Sequence, residues 1–495
     1  VNHSDITDSS ATRRSVTGRS VTGMTAGRSE EAGRSQRGAQ RPHKPGALER
    51  LKERGFFAQC TDEERLKERL DTERLTFYVG VDPTGPSLHV GHLVPVYALA
   101  HLVEFGHRGI VIVGDGTARI GDPSGKTEMR RMITIEEINR NAASMKKQIA
   151  SFLAVRGLGG GGNGGGGNGG GGKGGSAADP GFEMVHNAEW LADLNYIEFL
   201  REIGRHFSVN RMLTFEAYKL RMETGLSFIE FNYQLLQSYD YLKLYQTRGC
   251  RLQIGGDDQW GNIVAGTDLI RRIEGTPEEP VEAFGLTFPL VTRADGKKMG
   301  KSESGAVFLD GDMVSPYDFF QYWRNVPDAD VRKFMYLYTF LEPTEIEHVV
   351  APVAVGDAAG INAAKERLAR EITTLVHGRE EADKALAAAK ALFSKGAGGA
   401  AGSVPGGVLP GADLDAGIGV LELFSRAGLC SSNSEARRLI DQGGARINTV
   451  KVQDLDAVID RKWLKEHGAE STGGDSRLVL LLQAGKKRHY RFEVT

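Results

Sequence analysis

Cysteine is scarce in this chain of 495 residues, which carries Cys60, Cys250 and Cys430 and no others. They lie 190 and 180 residues apart with no C-x-x-C spacing. That excludes a disulfide framework and a zinc knuckle, and it suits a reducing compartment. Long apolar runs are missing too: no stretch of 18 apolar residues occurs, so no membrane span is expected. The third absence is an excess of one charge sign, since 62 Lys and Arg stand against 64 Asp and Glu, a formal net charge of −2. A surface basic all over, of the kind that coats nucleic acid, is therefore excluded, while a local basic patch is not. What the chain has in excess is glycine, 64 residues in all, and 15 of the 19 residues from Gly157 to Gly175 are glycine. No G-X-Y period accompanies them, so collagen is ruled out. At 40% hydrophobic and 25% charged residues the composition is globular. The length suits two to four domains at roughly 100–200 residues each.

Residues 1–46 are dominated by Ser, Thr, Arg and Gly, the composition of a disordered tail. The unit Arg-Ser-Val-Thr-Gly occurs there twice in tandem, at 14–18 and 19–23. The tail is basic and Ser-rich, as an organellar transit peptide is, but Asp5, Asp8, Glu30 and Glu31 interrupt it and Val stands first. A solvated or over-extended tail is the expectation, with a targeting signal as the alternative. Farther on, Thr76–Val81 (TFYVGV) reads as a buried strand, Leu88–Glu104 as a helix and Ile110–Val113 as a second strand. Strand, helix, strand is a βαβ unit and predicts a parallel sheet with both faces covered. Arg251–Ile254 reads as a third strand, 315–395 as helical, 396–412 as a flexible linker and 413–495 as a compact module. The glycine-rich insert at 157–178 cannot form a packed core and is expected to be a surface loop.

Chemistry concentrates at four motifs. The first is Y-V-G-V-D-P-T-G-P-S-L-H-V-G-H, from Tyr78 to His92. His89 and His92 stand where a strand hands over to a helix, whose N-terminus offers free N–H groups to a phosphate. Gly91 would let a ligand approach the backbone. The same pair reads as a helix cap, or as a zinc site that lacks a third ligand and a neighbouring Glu. The second motif, Gly114–Thr127 (GDGTARIGDPSGKT), ends like a phosphate loop, yet Ile120 stands where the Walker A spacing needs glycine. Behind it Lys126 and Arg130 suit a pyrophosphate leaving group, or form an ordinary basic loop. The third, Gly255–Asn262 (GGDDQWGN), lies just beyond a strand's carboxyl end, where open α/β sheets bind nucleotides; a plain turn is the alternative. The fourth is Lys298-Met299-Gly300-Lys301-Ser302. Its lysines can close on a triphosphate, or are plain surface.

In this order the motifs resemble the two signatures of class I aminoacyl-tRNA synthetases, H-V-G-H and, about 200 residues later, K-M-G-K-S. The surrounding Y-V-G-V-D-P-T, I-G-D-P-S-G-K, N-Y-Q-L-L-Q-S-Y-D and Q-I-G-G-D-D-Q-W-G-N are similar to the bacterial-type tyrosyl-tRNA synthetases over 47–495, outside the glycine insert. Three alternatives stand beside that family: its tryptophanyl branch, a nucleotidyltransferase with H-x-G-H, and a catalytically inactive RNA-binding homologue.

The resemblance implies an α/β fold: a Rossmann-like, doubly wound parallel sheet as catalytic domain at 47–314, an α-helical anticodon-side domain at 315–395, and a small α+β S4 RNA-binding domain at 413–495. It implies a cytoplasmic homodimer, organellar if the tail is a transit peptide, that makes tyrosyl-adenylate from L-tyrosine and ATP and passes tyrosine to tRNA(Tyr). Mg2+ would accompany ATP, with no resident metal and no membrane contact. The substrate carboxylate would be the nucleophile, so catalysis would rest on positioning and on stabilising charge at phosphate. By motif matching, Tyr78 and Asp240 would hold the phenolic hydroxyl and Asp122, Tyr233 and Gln237 the ammonium. Gln259 would sit by the carboxyl end, and Asp82 and Thr84 near the reacting group. His89 and His92 would contact phosphate, while Gly80, Gly256 and Asp258 would face the adenylate. Lys126, Arg130, Lys298, Lys301 and Ser302 would gather around the pyrophosphate. In the last module 13 Lys and Arg nearly cancel 12 Asp and Glu. The RNA-facing residues there would be Arg437, Arg438, Arg446, Lys486, Lys487 and Arg488, gathered on a helix and a terminal strand. Two positions depart from common patterns: Asp115, in a loop where the family commonly carries Gly, and Gly300, where many class I enzymes have Ser although the tyrosyl branch often has Gly.

Overall fold

The computed structural model describes residues 45–124, 133–158, 181–294, 299–302, 305–393, 406–448, 450–467, 478–485 and 488–495, with backbone alone at 301–302 and 391–393. The expected tail up to Lys44, nearly all of the glycine insert, and Lys126, Arg130, Lys298, Lys486 and Lys487 lie outside the described residues, as do the side chains of Lys301 and Ser302.

The strands β1 (Gln59–Cys60), β2 (Thr76–Val81), β3 (Arg108–Val113), β4 (Phe182–His186), β5 (Cys250–Gly256) and β6 (Phe284–Phe288) form one sheet in the order β1-β6-β5-β2-β3-β4. β2 to β6 run parallel, and β1 pairs antiparallel with β6 at the edge. Side chains alternate between faces along a strand. Phe77, Val79 and Val111 enter one core cluster while Tyr78, Ile110 and Ile112 enter another. Burial on both faces is why these strands read as continuous apolar runs. The strand order reverses between β2 and β5, since β3 and β4 lie to one side of β2 and β5 and β6 to the other. The crevice at the carboxyl ends of such a reversal is where open α/β sheets take ligands.

One boundary differs in an instructive way. The helix after β2 begins at Leu93 rather than Leu88, preceded by a single 3-10 turn at Val90–His92. Residues 88–90 spend their backbone on an extended pairing instead: Leu309 donates to the Leu88 carbonyl at 2.8 Å and Val90 to the Val307 carbonyl at 3.0 Å. A distant segment thus takes the hydrogen bonds that a helix would need.

The short strands β7 (Lys301–Ser302) and β8 (Gly305–Ala306) pair antiparallel. Helices Pro316–Arg324, Val331–Tyr338, Pro343–Ala354, Ala358–His377 and Arg379–Phe393 follow. Their apolar faces join the core of the sheet, with Trp323, Phe334 and Tyr338 in one cluster with Tyr97, Leu99 and Val111. Polar ties reinforce that union: Tyr97 donates to the Tyr338 carbonyl at 2.5 Å, and the buried Arg54 to the Thr339 carbonyl at 2.6 Å.

The last part of the chain builds its own core. Strands β9 (Gly406–Leu409), β10 (Ile418–Gly419), β11 (Ala445–Ile447), β12 (Val450–Lys451), β13 (Val458–Ile459), β14 (Val479–Ala484) and β15 (Arg488–Val494) form a sheet ordered β12-β11-β14-β15-β9 and a β10-β13 pair. Leu409, Phe424, Ile440, Leu482 and Phe492 share its cluster. This corrects the far end of the expected linker at 396–412, of which 396–405 lie outside the described residues. Residues 406–409 are a strand parallel to β15, with Leu409 fully buried. A Cβ on Gly407 would stand 2.8 Å from the Tyr490 hydroxyl, so glycine there serves close packing rather than flexibility. Arg437, Arg438, Arg446 and Arg488 are exposed, with Arg488 3.6 Å from Glu435.

Candidate active site

A cavity of about 590 Å³ opens at the carboxyl ends of β2 and β5, within the range of about 300–1,000 Å³ usual for small-molecule sites. Each parallel strand delivers lining at its end: Asp82 and Thr84 after β2, Gly114 and Thr117 after β3, Asn187 after β4, Asp258 and Gln259 after β5, and Pro289 after β6. Gly80, His89, His92, Asp122 and Gly256 line it as well.

The helix Phe228–Arg248 lays Tyr233, Gln237 and Asp240 along the cavity, at the four- and three-residue spacing that shares one helix face. Asp240 is buried, and its Oδ1 accepts from Trp190 Nε1 at 2.7 Å while Oδ2 accepts from Asn187 Nδ2 at 2.9 Å. Burial pushes its carboxyl up to about 7, against the pull of those two hydrogen bonds. The Tyr78 hydroxyl is fully buried and has no hydrogen-bond partner among the described residues; Gln253 Oε1 is in the same state. Burial, with Asp240 adding to it, holds the Tyr78 phenol well above its ordinary value. Stranded polar atoms cost about 1–3 kcal/mol each, and both residues line the cavity. A polar ligand relieves that cost.

A second network surrounds the acids. Asp82 accepts from the Tyr233 hydroxyl at 2.9 Å and from Thr117 Oγ1 at 2.8 Å. Asp122 accepts from Gln259 Nε2 at 2.7 Å and from the Ser124 N–H at 2.9 Å. Asn262 Nδ2 donates to Gln237 Oε1 and to Gln259 Oε1, both at 3.1 Å. Two carboxylates and two amide carbonyls thus converge on one region, an arrangement that favours a cation.

The two signature segments meet at the other end. His89 and His92 stack with ring centroids 3.9 Å apart. His89 Nδ1 accepts the Gly91 N–H at 3.0 Å and His92 Nδ1 accepts the His89 N–H at 3.1 Å. With Nδ1 accepting on both rings, each neutral imidazole carries its proton on Nε2. The rings are therefore a reciprocal cap and a pair of donors at once. A Cβ on Gly91 would stand 2.8 Å from His89 Cε1, so its bareness admits the imidazole, and the residue also lines the cavity. The loop of Gly300, at φ +89, packs on the same turn, and a Cβ at 300 would approach the Gly91 nitrogen to 3.1 Å. Tyr322, from the helix Pro316–Arg324, accepts the Gly300 N–H at 3.3 Å and donates to Met299 Sδ at 3.2 Å. By contrast a Cβ on Gly80 would meet nothing within 4 Å, so at that position the cavity itself begins.

Residues 70–394 match the family model of tRNA synthetases class I (W and Y). The chain belongs to this family. The synthetase is 56% identical over 445 residues to the tyrosine–tRNA ligase of Treponema denticola, an alignment covering 90% of this chain and 98% of that protein. It is 48% identical over 447 residues to the tyrosine–tRNA ligase of Acetivibrio thermocellus, covering 90% and 99%. Among solved structures it is similar to a C-terminally truncated mitochondrial tyrosyl-tRNA synthetase of Aspergillus nidulans, with a TM-score of 0.60, 29% identity, and coverage of 71% of this chain and 95% of that one. The synthetase has the class I fold, an α/β sheet of parallel strands joined to helices. No described helix is long and apolar enough to cross a membrane.

Asn187, Trp190, Thr117, Ser124, Gln253 and Asn262 escaped the sequence reading as site residues. Gln253 and Asn262 left a trace, since each stands inside the motif Q-I-G-G-D-D-Q-W-G-N and glutamine is foreign to an apolar strand. Asn187 and Trp190 left none, because they follow the glycine insert in a stretch with no periodic pattern.

Proposed function

We propose that this synthetase joins L-tyrosine to ATP as tyrosyl-adenylate, releases pyrophosphate, and then passes tyrosine to the 3′ end of tRNA(Tyr). The observation that carries this reading is the buried Tyr78 hydroxyl, without a partner among the described residues, lining the same cavity as Asp240. A phenol gives that hydroxyl a partner and meets the carboxylate, whereas a phenylalanine ring leaves the Tyr78 hydroxyl unpaired and brings Asp240 no donor. Tyrosyl-tRNA synthetases are themselves the standard case of rejection by this means. The similarity to proteins named tyrosine–tRNA ligase favours the same branch over the tryptophanyl one.

Asp122, Tyr233 and Gln237 take the ammonium and Gln259 the carboxyl end, with Asp82 and Thr84 at the reacting group. The substrate carboxylate attacks the α-phosphorus and the bond to the bridging oxygen of pyrophosphate breaks, so no enzyme nucleophile is needed. Donors from His89 and His92 stabilise charge on the phosphate in the transition state, and Gly80, Gly256 and Asp258 border the adenylate. Lys126, Arg130, Lys298, Lys301 and Ser302 are assigned to the departing pyrophosphate by motif alone. Mg2+ enters this proposal as part of the nucleotide substrate, accompanying ATP.

The module from Gly406 onward is assigned to tRNA as an S4 domain, through Arg437, Arg438, Arg446, Lys486, Lys487 and Arg488. A homodimer in the cytoplasm is part of the same proposal. Among the described residues, seven of the fifteen exposed large hydrophobic ones (Tyr196, Ile197, Leu200, Val209, Leu220, Met222 and Phe228) fall between 196 and 228, and such a concentration suits a covered surface.

Amino-acid-dependent ATP–pyrophosphate exchange tests the reading. Exchange with tyrosine is expected, and its absence, or equal exchange with tryptophan, overturns the proposal. Deleting 406–495 should abolish most tRNA charging and spare the exchange reaction; equal loss of both would contradict the assignment of the module.

A further inference from the structure

Asp115, the residue that departs from the family's common loop, makes two specific contacts. Its Oδ2 lies 2.9 Å from Nδ1 of His186, the last residue of β4, and its Oδ1 accepts the Ala188 N–H at 3.0 Å. These contacts grip the residues on either side of Asn187. Asn187 is fully buried, lines the cavity, and bonds two other lining residues, Thr117 and Asp240. Its N–H donates to the Val113 carbonyl at 3.2 Å, its own carbonyl accepts from the Trp190 and Leu191 N–H groups at 3.3 and 3.0 Å, its Oδ1 accepts the Gly116 N–H at 2.8 Å, and its Nδ2 donates to Thr117 Oγ1 at 3.1 Å and to Asp240 Oδ2 at 2.9 Å. Trp190, three residues on, holds the other oxygen of Asp240.

We propose that Asp115 is a positioning residue for recognition of the phenolic hydroxyl: by clamping His186 and Ala188 it sets the aim of Asn187, and through Asn187 the orientation of the Asp240 carboxylate. This rests on reading the site as one that takes tyrosine. The physical basis is geometric. A carboxylate that accepts two donors from one short segment holds its plane only as well as that segment is held. Glycine at 115 would leave both contacts unmade, and the loop after β3 would keep its hold on 186–188 through Asn187 alone. The Asp115–His186 contact is charge-assisted whenever either partner is ionised, and such bonds are roughly twice as strong as neutral ones. A rival explanation is electrostatic, since Asp115 is also one of the acids whose charge disfavours ionisation of Asp240. The two explanations part at asparagine. In Asp115→Asn the amide oxygen still accepts from Ala188, and the amide nitrogen donates to His186 in its other tautomer. The clamp survives while the charge is gone.

The experiment is pyrophosphate exchange with the full chain, using tyrosine and phenylalanine in parallel. Tyrosine-dependent exchange by the unaltered protein comes first; its absence overturns the reading of the site rather than the role of Asp115. Given that exchange, Asp115→Ala is expected to lower the tyrosine-to-phenylalanine ratio of kcat/KM about tenfold. The change should come through a higher KM for tyrosine, with the KM for ATP and the phenylalanine rate held. Asp115→Asn should restore the ratio to within about twofold of the unaltered protein. His186→Ala, which leaves the Ala188 contact in place, should shift the ratio in the same direction by less, and it carries the test if Asp115→Ala does not fold. An unchanged ratio in the alanine variants overturns the proposal. So does an equal fall for asparagine and alanine, which would make the effect one of charge. Equal losses for both amino acids would reduce Asp115 to a structural residue and also overturn it.

Discussion

The two ends of the cavity are built by opposite means. At the signature end, positioning is local: His89 is fixed by the N–H two residues on and His92 by an N–H three residues back, both from backbone. At the phenol end almost nothing is local. Asp240 is held by Asn187 and Trp190, more than fifty positions away or close to it, and Asn187 in turn by Gly116 and Thr117 after another strand. A turn that caps itself can be read as a motif. A carboxylate aimed by one distant segment that is itself held by another cannot, and its precision depends on the whole sheet being assembled. Under the proposed function, the first design suits groups that bind the phosphate common to every substrate of the class, the second a group that must tell one amino acid from another.

The comparison can be broken at either end. The largest effect is expected from Asp240 and pH. Its folded-state carboxyl, at about 7, lies above the ordinary unfolded value, so the folded protein holds an extra proton between about pH 4 and pH 7. This group's contribution to stability is therefore greatest below that window, declines as pH rises through it and is flat above, a change of about 4 kcal/mol in all. Asp240→Asn cannot titrate and lacks that slope. Denaturant unfolding of both proteins at about pH 4 and about pH 8 reads the difference, and parallel curves would show the carboxyl to be ordinary.

Next in size, Asp240→Ala is expected to lower kcat/KM for tyrosine about 10²- to 10³-fold, while phenylalanine loses far less. Exchange kinetics with both amino acids check this, and a uniform loss would mean that the phenol end shapes the pocket without reading the hydroxyl. At the signature end His89→Ala should reduce the rate of adenylate formation about 10²-fold and leave tyrosine affinity in place. Single-turnover kinetics beside equilibrium binding separate the two quantities; weaker tyrosine binding would blur the division between the ends. The smallest effect belongs to Tyr322→Phe, which removes the bonds to Gly300 and Met299. It should raise the KM for ATP about three- to tenfold with that for tyrosine unchanged, and an altered tyrosine KM would show that the signature loop is coupled to the phenol end.

Much of this was legible beforehand, and the exceptions have physical causes. β2 and β3 announce themselves because both faces are buried, and the parallel sheet follows from the helix between them. The late helix start at Leu93 was hidden because Val307 and Leu309, some 220 residues away, claim the backbone of 88–90. The strand at Gly406–Leu409 was hidden because glycine next to an aromatic ring and glycine in a flexible linker look alike in a sequence. Gly91 has a second purpose that its sequence hides for a related reason, since bare backbone serves a neighbouring ring as readily as a ligand.

By itself the sequence determined the family, the parallel sheet and most groups of the site, including Tyr78, Asp240, His89 and His92, since each sits in a motif whose spacing is set by one helix face or one turn. Tertiary structure alone decided the partners that give those groups their character. Asn187, Trp190 and Asp115 come to Asp240 only when β3, β4 and the helix Phe228–Arg248 lie side by side, and the carboxyl rises to about 7 only once that assembly has removed it from water. Spacing along a chain encodes contacts within an element; contacts between elements, and the desolvation they bring, exist only after the elements have packed.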